Sequence, residues 1–284
     1  MDDLYIFYHL PKCGGTTLSR IIDKLYDPSV LFVVNPAMQH FHASLRELRQ
    51  LNPDAISKLR MIRGHQTYGL DKIFGRSCKY ITILREPAHR FVSAYFHAIH
   101  DPDSPLGRRL RDSGITLQQL AEADDAALGR DYLVRSFAAV PEAAHAREGA
   151  DFLELAKNNL SRDFIAVGIT ERMHESVLLI SERLHWKIRG YRSHNVSREY
   201  SIDQVNSEVL TAFRQRNPSD VAFYEFALSL WDRQTQAIPS FAEKLEHFCS
   251  TNRTYNQWHD RIDKLKKPLR PVHRLLMGKT ASMS

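Results

Sequence analysis

The chain has 284 residues, 43% of them hydrophobic and 25% charged, a composition that excludes collagen-like, low-complexity and disordered classes. The formal charge is +6, yet seven cations against Asp263 within residues 261–284 carry all of that excess, so residues 1–260 sum to zero. A nucleic-acid-binding domain spreads basic residues over a folded face, so no nucleic-acid partner is expected. Residues 1–260 read as one domain, and 261–284 as a basic, flexible tail. Cys13, Cys78 and Cys249 are widely spaced without a CxxC pair, which suits a reducing compartment. Neither a leader peptide nor an apolar run of about 18 residues is visible, and the expectation is a cytoplasmic protein without a membrane span.

Short apolar runs alternate with helical patterns, the signature of βαβ units. Leu4–Leu10 predicts a first strand, closed by Pro11 and the Gly14-Gly15 pair. Apolar residues at helical spacing start a helix at Thr16. Val30–Val34 predicts a second strand, a helix with Leu45, Leu48 and Leu51 follows, and a short strand lies near Met61–Arg63. Tyr80–Leu84 reads as a central buried strand, and Pro87 opens the next helix. Residues 101–160 are mostly helical. Asp163–Ile169 predicts a strand, and Glu171–Leu184 an amphipathic helix. Segment 190–200 is a polar loop, and helices near 201–215, 219–231 and 240–264 complete the chain. The fold class is α/β: a P-loop-like open parallel sheet flanked by helices, with a helical C-terminal part. Trp186, Trp231 and Trp258 are expected to pack helices.

The segment Pro11-Lys12-Cys13-Gly14-Gly15-Thr16-Thr17 stands between a strand and a helix. Two glycines permit a tight turn with inward N–H groups, the helix N-terminus adds donors, Lys12 a charge, and the threonines hydroxyls. This describes a phosphate cradle; a plain strand–turn–helix with a solvent-facing lysine is the alternative. It is not a Walker A loop, in which the lysine follows the glycines and the next Ser/Thr holds magnesium. The strand Tyr80–Leu84 ends in Arg85 rather than a magnesium-binding Asp. A cation at that strand end favours a second phosphate over a metal. Ser93, two helical turns downstream, can converge with Arg85 on one anion. His89, Ser93, His97 and His100 share a helical stripe, but His89 and His97 are about 12 Å apart along the axis, too far for one ion.

These two segments resemble the sulfotransferases that use 3′-phosphoadenosine 5′-phosphosulfate (PAPS). Pro11–Thr17 is similar to the family's 5′-phosphosulfate loop, with Cys13 where a Thr is usual. Arg85-Glu86-Pro87 through Ser93 is similar to its 3′-phosphate motif. Val167–Arg172 and Asp220–Glu225 resemble later blocks of the heparan-sulfate 2-O-sulfotransferase-like branch and its bacterial relatives. The resemblance implies a PAPS-dependent enzyme with no metal requirement. Lys12, Cys13, Gly14, Gly15, Thr16 and Thr17 would hold the 5′-phosphosulfate, with Lys12 also neutralising the leaving group. Arg85 and Ser93 would hold the 3′-phosphate, and Asn195 and Ser197 would close over the nucleotide.

For the base, Arg63-Gly64-His65-Gln66-Thr67-Tyr68-Gly69 follows a short strand, so His65 would project at the sheet's C-terminal edge. A histidine suits proton abstraction near neutrality. In the branch resembled, a His after a Gly at this place is the catalytic base; a structural or surface histidine is the alternative for His65. His9, beside the loop, is the remaining histidine to test. Arg63, Tyr68, Tyr95 and Arg135 are candidates for the acceptor side, each equally suited to a salt bridge or a core edge. The acceptor implied is a saccharide hydroxyl, slightly ahead of a peptidyl tyrosine. The competing class is a P-loop-type kinase of a small metabolite.

Overall fold

The computed structural model describes residues 3–34, 44, 46–65, 68–75, 77–123, 130–139, 149–192 and 202–266. Five strands form one sheet: β1 (Leu4–Tyr8), β2 (Leu31–Val34), β3 (Met61–Gly64), β4 (Cys78–Leu84) and β5 (Phe164–Ile169). Their spatial order is β2-β3-β1-β4-β5, and every pairing is parallel. Tyr8 lies opposite Gly64 on one side and Thr82 on the other. The open parallel sheet expected from the sequence therefore forms, with β1 rather than β4 at its centre. Ile6, Phe7, Ile81, Ile83 and Leu84 are all at most 1% exposed, because helices cover both faces of interior parallel strands.

Helix α1 (Gly15–Leu25) buries Leu18, Ile21 and Ile22 and turns Arg20, Asp23 and Lys24 to water. The short α2 (Pro53–Lys58) is capped by the Asn52 side chain. Helix α3 (Pro87–His100) starts on a proline, with the Glu86 carboxylate accepting from the His89 N–H as its cap. It packs with α4 (Pro105–Ser113), α5 (Leu117–Glu122) and α9 (Ser207–Arg216) around a second, smaller core of Phe91, Tyr95, Leu110, Leu120, Val209 and Phe213. Helices α6 (Tyr132–Ala138), α7 (Leu153–Asp163), α8 (Met173–Leu184), α10 (Pro218–Gln236) and α11 (Phe241–Lys266) complete the described fold. Helix α11 runs past residue 260 into the segment expected to be a tail; residues 267–284 lie outside the described residues. Trp231 is buried, and the Trp186 indole donates to the Tyr26 hydroxyl at 3.1 Å. Trp258 departs from the expectation: it is 58% exposed on the outer part of α11.

The block Asp220–Glu225 turns out to be partly architectural. The Asp220 carboxylate accepts from the Leu133 and Val134 N–H groups at 3.1 and 2.9 Å, capping α6 from a neighbouring helix. Asp131 returns the bond, its carboxylate accepting from the Asp220 N–H at 3.1 Å, and the Asn217 side chain accepts from the Asp131 N–H at 2.9 Å. Two helix N-termini are thereby satisfied by each other's flanking residues inside the core.

Candidate active site at the C-terminal edge of the sheet

Because all five strands are parallel, their C-terminal ends lie along one edge. His65 follows β3, the segment 9–17 follows β1, Arg85 follows β4, and Thr170-Glu171 follows β5. Four segments far apart in sequence become neighbours in that order. This is where open α/β sheets bind ligands.

The loop after β1 is bent by two residues with positive φ, Lys12 at 67° and Gly14 at 73°. A left-handed conformation at a lysine is uncommon and points to a built constraint. Gly14 is the N-cap of α1 without any side-chain cap, and its carbonyl accepts from the Thr17 N–H at 3.1 Å. A helix N-terminus of this kind has the partial positive charge that suits an anion. Gly14 is constrained by its positive φ and Gly15 by its neighbour. A Cβ on Gly14 would come within 2.5 Å of Met173 Cε, and one on Gly15 within 2.0 Å of the His9 ring. Thr16 is half-buried, and Thr17 is buried. Cys13 is fully buried, and burial pushes its thiol up to about 12, so its side chain packs and only its main chain can serve a ligand.

Arg85 donates to the Lys12 carbonyl at 3.3 Å, tying the end of β4 to the loop. The turn behind it is braced by Glu86 and Glu171. Arg214 Nε donates to Glu86 at 2.9 Å; Glu171 accepts from the Glu86 N–H at 3.1 Å and from the Tyr224 hydroxyl at 2.9 Å. Burial pushes Glu171 up, but hydrogen bonds from His89, the main chain and Tyr224 outweigh it and hold the group below the usual carboxylate range. His89 lies 3.7 Å from Glu86 and from Glu171. Ser93 is buried on the same helix, 4% exposed. The Thr170 hydroxyl donates to the Leu84 carbonyl at 2.8 Å and closes β5 onto the same corner. Thr170 and Glu171 escaped the sequence reading as site-supporting residues. Their signal was the one used for Arg85, polar residues directly after a buried strand.

His65 and His9 stack, ring centroids 4.4 Å apart and planes at 24°. Burial lowers the His65 pKa below 6.5, against an opposing pull from the His9 main chain. His65 Nδ1 is buried and has no hydrogen-bond partner among the described residues.

The residues proposed for the acceptor side have other engagements. Arg63 makes a two-point ion pair with Asp23 of α1, at 2.7 and 2.9 Å. The Tyr68 hydroxyl donates to Asp163 at 2.6 Å while its ring packs against Tyr8, Tyr80 and Phe164. Tyr95 belongs to the second core and donates to the Ile115 carbonyl at 3.2 Å. Arg135 donates to the Arg130 carbonyl at 3.0 Å and lies over the Phe152 ring. Arg63 thus forms the kind of salt bridge, and Tyr68 and Tyr95 the kind of core-edge contact, that the sequence offered as alternatives to an acceptor role. Asn195 and Ser197 lie outside the described residues. A pocket of about 250 Å³ opens beside Thr17, its walls including Arg20, Ile21, Ile188, Arg189 and Tyr191.

Residues 2–227 match the model of the sulfotransferase family. The chain is 24% identical over 289 residues to heparan-sulfate 6-O-sulfotransferase 1-B of Danio rerio, covering 83% of this chain and 67% of that one. It is 27% identical over 252 residues to heparan sulfate 2-O-sulfotransferase 1 of Xenopus laevis, covering 80% of this chain and 70% of that one. Among solved structures, mouse sulfotransferase SULT7A1 complexed with PAP aligns at a TM-score of 0.36 and 19% identity, over 77% of this chain and 65% of that one. Since the family match takes in the strand-end cradle and the whole sheet, the chain belongs to the sulfotransferase family.

Proposed function

We propose that this sulfotransferase moves the sulfuryl group of PAPS onto a saccharide hydroxyl, with His65 as the base. The observation that carries the reading is the meeting of Lys12, Arg85 and His65 at three adjacent parallel strand ends. The cradle fits the donor: a glycine at positive φ and another against the His9 ring, a helix N-terminus, and two cations, with no acidic side chain in the loop itself. PAPS supplies an activated sulfuryl group when bound. Lys12 and the α1 N–H groups neutralise charge where it grows on the leaving phosphate. Arg85 and Ser93 hold the 3′-phosphate. His65 takes the proton of the acceptor hydroxyl. The family match displaces the kinase alternative. A saccharide acceptor is supported by relatives named for heparan sulfate, and a reducing, cytoplasmic setting by three free thiols.

The acceptor is tested by incubating the protein with sulfur-labelled PAPS and either oligosaccharides or tyrosine peptides. Label on the saccharide is expected; label confined to the peptide overturns the acceptor assignment. The donor assignment has its own test. 3′-Phosphoadenosine 5′-phosphate (PAP) should bind more tightly than AMP, and Arg85→Ala should remove most of that preference, since a charge-assisted hydrogen bond contributes about 1.5–3 kcal/mol. Calorimetric titration with both nucleotides reads this directly. Equal affinities in the unmodified protein would remove Arg85 from the 3′-phosphate site.

A further inference from the structure

We propose that His9 is a positioning residue for the base, its imidazole setting the plane in which His65 works. The inference rests on the reading of His65 as the base. One face of the His9 ring stacks on His65 at 4.4 Å, and it also stacks with Phe7 at 5.3 Å and 11°. Its edge fills the space above Gly15, where a Cβ would fall 2.0 Å from Cδ2 and 2.1 Å from Nε2. Its main-chain N–H donates to the Gly64 carbonyl at 3.0 Å, one residue before His65. The ring is therefore wedged between strand β1, the start of α1 and the end of β3, and it cannot turn without displacing one of them. His65, by contrast, stands after its strand with Nδ1 lacking a hydrogen-bond partner among the described residues, so the contacts that orient it come from His9, a main-chain hydrogen bond and the stacked ring face.

The charged and titratable groups facing His9 are His65, Arg63 and Lys12. Burial, followed by those three in that order, pushes its pKa down to about 3, so the ring is neutral wherever the enzyme works. Neutrality matters to the role. A second imidazolium face to face with His65 would oppose the proton that His65 receives. A neutral aromatic face attracts a cation instead. The wedge thus fixes the orientation of His65 and leaves it free to become charged.

The test compares His9→Leu, which fills the space without a ring face, with His9→Phe, which keeps the ring and loses both nitrogens. His9→Leu is expected to lower kcat on the order of 10²-fold, the cost of a misplaced catalytic group, with little change in the Kd for PAP. Its pH profile should also shift, because the environment of His65 has changed. His9→Phe should recover most of the loss. In a His65→Ala background, His9→Leu should cost nothing further. If His9→Phe is as impaired as His9→Leu, a nitrogen is needed and the proposal fails. An equal His9→Leu loss with and without His65 overturns it too, since His9 would then act through the fold or the donor site. Wild-type kcat in His65→Ala would instead remove the base reading and this proposal together. His9→Ala replaces His9→Leu if the latter does not fold, folding being judged by PAP binding.

Discussion

Replacing His65 by alanine is expected to lower kcat by about 10²–10⁴-fold while the Kd for PAP stays near its original value. The separation of the two effects follows from the sheet. His65 follows β3, whereas the groups assigned to the nucleotide follow β1 and β4, so its loss removes proton transfer without opening the cradle. The pH dependence carries a sign. A base works in its neutral form, and burial lowers the pKa of His65 below the ordinary 6.5. The acid limb of kcat/KM should therefore lie below pH 6.5, with the rate level through neutrality, and the limb should vanish in His65→Ala. The size of the loss also reports on the acceptor. A phenol with a pKa near 10 ionises more readily than a sugar alcohol and needs less help, so a small loss would point to tyrosine. An unchanged kcat and pH profile would remove His65 from the mechanism.

Lys12→Ala is expected to lower kcat by about 10²–10³-fold, the usual effect of removing one donor aimed at developing charge. The loop bends at Lys12 itself, with φ at 67°, and the Lys12 carbonyl is held by Arg85. The backbone that carries Lys12 is thereby held at the mouth of the loop, where its side chain can reach the leaving group. The same reasoning predicts full wild-type activity in excess EDTA, because Lys12 and the α1 N-terminus supply the positive charge that magnesium supplies in nucleotide triphosphatases. Steady-state rates of both proteins with and without chelator measure this. Full activity of the variant, or strict dependence of the wild type on a divalent cation, would contradict the assignment.

Much of the architecture was legible because it rests on local patterns. The apolar, β-rich runs at Leu4–Leu10 and Tyr80–Leu84 read as buried strands, and their alternation with helical spacing implies a parallel sheet. The phosphate loop was legible for a related reason: two adjacent glycines after a strand and before a helix have few other uses. Residues contributed singly by distant segments were harder. Arg63, Tyr68, Tyr95 and Arg135 are each chemically able to bind an acceptor, and nothing local distinguishes such a residue from one tied to Asp23, Asp163, Ile115 or Arg130. The same is true of Trp258, whose helix outruns the body it packs against.

By itself the sequence determined the strand and helix pattern, the glycine-bent loop Lys12–Thr17 at a helix N-terminus, and the cation at the end of β4. Each of these depends on neighbours along the chain, where backbone geometry and side-chain periodicity act directly. Only the tertiary structure decided that β3 and β4 flank β1, which aligns His65, Lys12 and Arg85 along one edge. It also decided that the His9 ring fills the gap at Gly15, that Glu171 and Tyr224 brace the Arg85 corner, and that Asp131 and Asp220 cap each other's helices. Those contacts join residues separated by up to dozens of positions. They arise from strand order and close packing, which no single segment encodes.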